Sequence, residues 1–406
     1  MTLWPRFGPP GAASQAVVVG AGPAGAVAAL VLARAGVRVR LIDRARFPRH
    51  KLCGDTLNPG ALSILDKLAS PGVPRGTVSV SDAVRARALP ITGMTVTGPR
   101  GATVTGLYPA HLLGAALTRS DLDLVLLDAA VAAGAEFEPG VRAIEPVTAE
   151  GRIDGVRVAG ASGERTMPAG IVIAADGRGS RLASKLRLAA FARHPRRWAF
   201  GAYFTGVHGL TSCGEMHIRP GGYVGVAPLP GGVANVCVVR EMVPGRSTAG
   251  VDRRRIIDDA LAAEPVLRER FAAARRVSDV VSLGPLAVDA SGAGAPGVLL
   301  AGDAAGFVDP MTGDGLRFAL RGGMLAAEAA LSELATGRPA HVRLHAARAR
   351  EFAGKWRLNR ALRFVTGSPR LLALLAVAAG HWSHPVRHLI GMAADLDVVN
   401  GRTPCE

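Results

Sequence analysis

Aromatic residues are scarce in this chain. Phe, Trp and Tyr make up 4% of its 406 residues, and three tyrosines cannot build a stacking platform for single-stranded bases. Lysine is nearly missing: Lys51, Lys67, Lys185 and Lys355 are the full set, so arginine carries almost all of the net charge of +16. A basic surface attracts nucleic acid, anionic membrane or anionic cofactors. No DNA- or RNA-binding motif accompanies the charge, so we expect no nucleic-acid partner. The four cysteines, Cys53, Cys213, Cys237 and Cys405, form no CxxC pair and no His–Cys cluster with zinc spacing. No metal site is expected, and reduced thiols in a cytoplasmic protein account for them. A clean membrane-length run is also lacking. Residues 16–33 carry no charge, but Gly20, Gly22, Pro23 and Gly25 interrupt the roughly 20 apolar residues a span needs. Only Arg6 precedes this run, and Gly and Pro dominate residues 8–12, which does not suit a secretory signal.

What the chain has in quantity is glycine, at 51 residues, within a composition that is 49% hydrophobic and 20% charged. This is a globular composition, and the length allows two or three structural units. The interrupted run explains itself as a nucleotide turn. Ala16–Val19 reads as a short buried strand, and Gly20-Ala21-Gly22-Pro23-Ala24-Gly25 is a G-x-G-x-x-G sequence. Gly20 permits the tight turn, Gly22 lets a pyrophosphate approach the backbone, and Gly25 lets the helix pack on the sheet. The helix predicted over 23–35 aims its N-terminal N–H groups at phosphate. A second strand, 37–42, ends at Asp43 beside Arg44, where a carboxylate can accept both ribose hydroxyls of an adenosine. That acid disfavours NADP at this position and leaves FAD and NAD open.

Three further segments narrow the choice. Residues 171–186, IVIAADGRGSRLASKL, end an apolar strand in Asp176-Gly177, and Ser180 opens a helix. Residues 297–320, GVLLAGDAAGFVDPMTGDGLRFAL, end a strand in Gly302-Asp303, followed by Pro310 and Gly313-Asp314-Gly315 before a helix. Residues 46–62 carry Lys51-Leu52-Cys53-Gly54. In this order the motifs resemble the flavoprotein family that includes para-hydroxybenzoate hydroxylase, geranylgeranyl reductases, flavin-dependent halogenases and FixC-type electron-transfer proteins. The resemblance covers most of residues 14–335 and is closest to the geranylgeranyl-reductase-like branch. It implies FAD as cofactor. Gly20, Gly22 and Gly25, with Pro23 and Ala24 between them, would line its pyrophosphate, and Asp43 its ribose. Arg119 matches an FAD-contacting arginine, and Asp303 would reach the ribityl or pyrophosphate region. The helix beginning near Gly313 would turn its positive end to the flavin pyrimidine edge and stabilise the anionic reduced ring.

The implied fold is α/β (α+β): a Rossmann-like FAD-binding domain interleaved with an antiparallel-sheet substrate domain, plus C-terminal helices. The FAD-binding part takes residues 14–75, 106–190 and 280–335, with a helix over 120–134 and strands near 135–149, 152–159 and 166–175. The substrate part takes 76–105 and 191–279, where 199–240 alternates and turns often enough for antiparallel strands. Residues 336–406 form the C-terminal region. It is basic and helical over 343–363, then apolar over 371–380. It packs on the FAD domain or touches membrane lipid.

A single dinucleotide turn means that electrons come from a transient visit of NADPH or NADH, or from a protein donor. The chemistry has three candidates: hydroxylation of a phenolic or polyketide-like substrate through a flavin C4a-hydroperoxide, reduction of isoprenoid C=C bonds, and electron transfer to quinone. Geranylgeranyl reductases carry Tyr-x-Trp-x-Phe-Pro over the flavin. The matching run here is Tyr223 to Pro228, with Gly225 in place of Trp and Ala227 in place of Phe. The lost rings leave room for a bulkier, hydrophobic substrate and tilt the sequence reading towards hydroxylation. Halogenases show Trp-x-Trp-x-Ile-Pro, which this chain lacks. Tyr223 is the expected catalytic residue, holding or deprotonating a substrate hydroxyl, and Cys53 the second, as a proton donor or gate; a compact buried thiol is the other reading of Cys53. Gly225, Ala227 and Pro310 are expected to line the substrate. Glu215, His217 and Arg219 share one strand face, read as solvated or as holding a polar head group.

Overall fold

A computed structural model describes residues 14–68, 79–193, 196–242 and 252–399, so Cys405 lies outside the described residues. The nucleotide sheet has the order 294–295, 298–300, 163–174, 14–19, 39–43 and 136–139. Ser14–Val19 lies between Val39–Asp43 and Gly163–Ala174, parallel to both. A parallel strand covered on both faces must be apolar on both faces, and Ala16, Val17 and Val18 are fully buried. The strand Gly163–Ala174 continues backwards into an antiparallel meander with Arg152–Gly160 and Arg142–Ala149. The first helix, Pro23–Arg34, covers one sheet face beside helices Arg119–Ala132 and Gly315–Thr336. Its approach to the last of these requires glycine: a Cβ on Gly323 would lie 2.3 Å from the Ala24 carbonyl oxygen.

The second large sheet runs 275–276, 197–205, 233–241, 222–229, 213–219, 93–97 and 103–107. Side chains alternate between its faces. Phe200, Phe204, Val224, Val236 and Val238 pack on Ile257, Leu261 and Leu267 of the helices Arg253–Ala262 and Pro265–Arg270. Ala199, Tyr223, Val239 and Cys237, on the other face, cluster with Leu52, Phe307 and Met311. This second face therefore looks onto the loops that follow the nucleotide sheet. A small sheet of 56–57, 114–116 and 89–91 joins the two units.

The C-terminal region forms the helices His341–Gly367, Pro369–His381, His384–Ala393 and Leu396–Val399. It docks through buried charge. The Lys355 ammonium meets Asp314 Oδ1 at 2.9 Å, Asp395 Oδ1 at 3.1 Å and the Met392 carbonyl at 2.7 Å. Asn58 caps the helix Pro59–Lys67 and donates to the Ala393 carbonyl at 2.9 Å. The segment 392–395 is thus tied to the N-terminus of Gly315–Thr336.

Candidate functional site

Two regions meet between the sheets. At the nucleotide end, Gly20 has φ +99° and its Cβ would lie 2.4 Å from the Ala175 carbonyl oxygen, so only glycine fits the turn. The helix Pro23–Arg34 has Gly22 as N-cap and no side-chain cap. Asp43 is buried, accepting from the Ala21 N–H through Oδ2 and the Ala45 N–H through Oδ1, both at 2.8 Å. Arg44, next to it, is exposed. A dinucleotide fits the surroundings on two counts. A Cβ added at Gly22 meets only Arg49 Nη2, at 3.2 Å, which leaves a cradle in front of the helix. Asp176 accepts from the Arg181 N–H at 3.0 Å through one oxygen, while the other is buried without a partner, and burial raises its pKa. Such an orphaned oxygen is a group that a bound hydroxyl satisfies.

Cations gather on the same side. Burial lowers the pKa of Lys51, with Arg119 adding to the effect and Asp303 opposing it. Burial works against the charge of Arg119, but Asp123 and then Cys53 together outweigh it and raise its pKa overall. The pair is bidentate, at 2.8 and 2.9 Å, and Arg49 joins at 3.1 Å from Asp123. Arg119 is therefore held by a carboxylate with its side chain buried, and it also reaches the Cys53 thiol.

At the other end, Gly302 and Asp303 form a turn after the strand 298–300, and Pro310–Thr312 a second turn closed by Gly313 at φ +69°. The helix starts at Gly315 with Asp314 as its N-cap residue. A Cβ at Gly313 would meet nothing within 4 Å. Gly225 is equally open, with only the carbonyl oxygens of Cys237 and Glu215 at 3.8 and 3.9 Å. Ala227 lies on the same sheet face and is buried.

Tyr223 is placed differently from the sequence expectation. Its hydroxyl donates to Asp309 Oδ1 at 2.8 Å, and Arg197 approaches Asp309 Oδ2 at 3.2 Å. Burial first, then Asp309, pushes the phenol pKa well above its ordinary value. The hydroxyl donates to a buried carboxylate, and the raised pKa keeps the phenol protonated, which argues against Tyr223 as a base. Tyr223→Phe should keep turnover within about tenfold of wild type, whereas losing a general acid or base costs about a hundredfold or more; steady-state kinetics on both proteins separates the outcomes. Glu215 and His217 are also corrected. Both are buried, bonded to each other at 3.0 Å, and Glu215 is paired with Arg270 at 2.6 Å, while Arg219 pairs with Glu264. Their face is covered and points away from Gly225, so it is not the solvated face the sequence suggested.

The structure adds a cluster that no linear motif announces. Asp55, fully buried at φ +51°, accepts from the Tyr203 hydroxyl at 2.7 Å, the Asn235 amide and the Arg119 backbone N–H at 3.2 Å. Asn235 also donates to the Cys53 carbonyl at 2.8 Å. Burial raises Asp55 to about 6, against the opposing pull of these hydrogen bonds. Burial also raises the Cys53 thiol, and pushes Cys237 up to about 12. Both thiols are thus neutral at physiological pH and unpaired. The one sequence signal was the acid directly after Lys-x-Cys-Gly.

A family model described as an FAD binding domain matches residues 13–358. The chain is 31% identical over 337 residues to a menaquinone reductase of Mycolicibacterium smegmatis, covering 78% of this chain and 76% of that one. It is 31% identical over 320 residues to digeranylgeranylglycerophospholipid reductase 2 of Methanopyrus kandleri, covering 77% and 76%. A flavin-dependent brominase superposes with a TM-score of 0.78 over 94% of both chains at 20% identity, a likeness of fold alone.

Proposed function

The chain belongs to the FAD-binding-domain flavoproteins and is an FAD-dependent oxidoreductase, and from that premise we propose that it reduces carbon–carbon double bonds in a prenyl-bearing lipid. The observation that carries this reading is the buried Asp55 carboxyl bonded to the half-buried Tyr203 hydroxyl beside Cys53, on the sheet face turned to the loops after the nucleotide sheet, which we read as a proton source. The apolar lining supports it, since Leu52, Met216, Ile218 and Leu362 cluster on that face and suit a hydrocarbon chain. The names of the two reductase relatives point to lipids of this class.

Bound FAD supplies hydride once reduced, with NADPH or NADH as its transient donor. The glycines 20, 22 and 25 and the helix N-terminus at Pro23 and Ala24 would hold the pyrophosphate, with Asp43 and Arg44 at the adenosine. Asp176, Gly302 and Asp303 would hold the ribityl chain, and Gly313 to Gly315 the pyrimidine edge. Arg119 lines that end and keeps Cys53 in place. The protein's own chemical step is proton delivery. Protonated Asp55 donates to the Tyr203 oxygen, which frees the Tyr203 hydrogen for the substrate carbon that does not receive hydride. The proton lost is replaced from solvent. Cys53 remains a neutral thiol that excludes water from the site.

A second reading is hydroxylation, and one observation favours it: the open space above Gly225 admits a ring-bearing substrate. An anaerobic single turnover separates the two. Enzyme reduced without oxygen is mixed with a prenyl lipid, the flavin spectrum is followed and the product is weighed by mass spectrometry. Two added hydrogens with flavin oxidation under anaerobic conditions is the expected result. A product that forms only after oxygen is admitted, and carries one oxygen atom, overturns it.

A further inference from the structure

We propose that the outer face of the C-terminal helices docks on an anionic lipid surface, lying in its plane. Among the described residues no single helix is long and apolar enough to cross a membrane. Instead His341–Gly367 turns through 105° into the following helix. Around this bend the apolar side chains face outward. Phe364, one turn before it, is 72% exposed; Leu374 and Leu375, after it, are 68% and 51% exposed; Trp382, just past the helix end, is 73% exposed. Leu371, Leu374 and Leu375 have the spacing of one helical face. The inner face of the same helix is buried at Leu372 and Ala376, and Ala376 rests on Gly98.

The charge around this face selects its partner. Residues 352–394 contain no aspartate or glutamate, yet hold five arginines, Arg357, Arg360, Arg363, Arg370 and Arg387, besides the inward-facing Lys355. Arg357, Arg360 and Arg370 are exposed beside the apolar residues. Aliphatic side chains ringed by arginine, with a tryptophan at the edge, match the boundary between acyl chains and anionic head groups. A protein partner would need an acidic rim around an apolar groove, whereas a lipid surface supplies both features everywhere. The position fits as well: Leu362, on the same helix as Phe364, packs inward with Tyr223 and Met311. The exposed face is therefore the reverse of a helix whose inner side packs on the sheet face of Tyr223. The inference holds whichever reaction the site performs.

The test is cosedimentation of the full FAD-loaded protein with vesicles of phosphatidylcholine and phosphatidylglycerol in equal parts. Wild type should pellet with these vesicles, less so as salt is raised, and remain in the supernatant with phosphatidylcholine alone. Leu374→Glu combined with Leu375→Glu should cut the bound fraction about tenfold or more. Both sites are already exposed, so FAD content and melting temperature should match wild type. Arg360→Glu with Arg370→Glu should weaken binding through charge alone. Wild type that stays in solution with the anionic vesicles overturns the proposal, as does a double leucine variant that binds equally well. Wild type that forms a lipid-independent dimer, split by the leucine variant, with no vesicle binding, assigns the face to a second copy and also overturns it.

Discussion

Asp55→Asn should lower turnover on a prenyl lipid by about a hundredfold or more, the contribution of a positioned general acid, with FAD content unchanged. The substitution suits the site. Asp55 sits at φ +51°, a left-handed conformation that asparagine tolerates, and the side chain keeps its volume. What is lost is the transferable proton, along with one of the two acceptor oxygens that take the Arg119 N–H and the Tyr203 and Asn235 donors. The pH profile carries the signature. Burial lifts Asp55 to about 6, so the donor form prevails below that pH and declines as pH rises through it. Wild-type turnover should fall with an inflection near there, and the variant should lose the inflection along with the rate. An Asp55→Asn protein that keeps both rate and inflection removes Asp55 from the mechanism. Tyr203→Phe should follow the same pattern, because the hydroxyl is the exit of the relay.

Gly22→Val should abolish FAD retention while leaving the fold intact. The two outcomes separate because the added atoms have somewhere to go in the protein alone. A Cβ at Gly22 meets only the flexible end of Arg49, and the backbone there is extended. The space it fills is the cradle in front of the first helix, where a pyrophosphate would approach the N–H groups. Expected results are a wild-type circular dichroism spectrum, colourless protein, and FAD affinity weaker by about a hundredfold or more, the size of effect expected when a phosphate loses close backbone contact. A yellow, fully loaded variant would mean that the dinucleotide lies elsewhere. Gly25 offers no such test. Its Cβ would lie 1.8 Å from the Gly20 carbonyl oxygen, so any side chain there distorts the turn itself.

The contrast between these two sites marks how far the sequence can be read. The nucleotide turn was legible because its parts are local. A strand, three glycines, a helix and an acid fall within residues 14–43, and each has a steric or electrostatic reason at its own position. The strand–turn–helix readings at Asp176 and Asp303 were legible for the same reason, as were the strands near 135–149, 152–159 and 166–175, though not their antiparallel pairing. The proton relay was not. Asp55, Tyr203 and Asn235 come from three segments, and their meeting depends on the pairing of Tyr203 opposite Asn235 between two strands.

Alternation in a strand tells which residues share a face, but not what covers that face. Glu215, His217 and Arg219 share one, and it is sealed by Arg270 and Glu264 from the helical segment that follows. Tyr223 shares the flavin-side face with Gly225, yet a carboxylate 86 residues along the chain takes its hydroxyl. The sequence by itself determined the strand, glycine turn, helix and buried acid of residues 14–43, because these are constraints between near neighbours. Only the tertiary structure decided which polar groups meet and which are sealed away, because burial and hydrogen bonding are set by segments that meet in space.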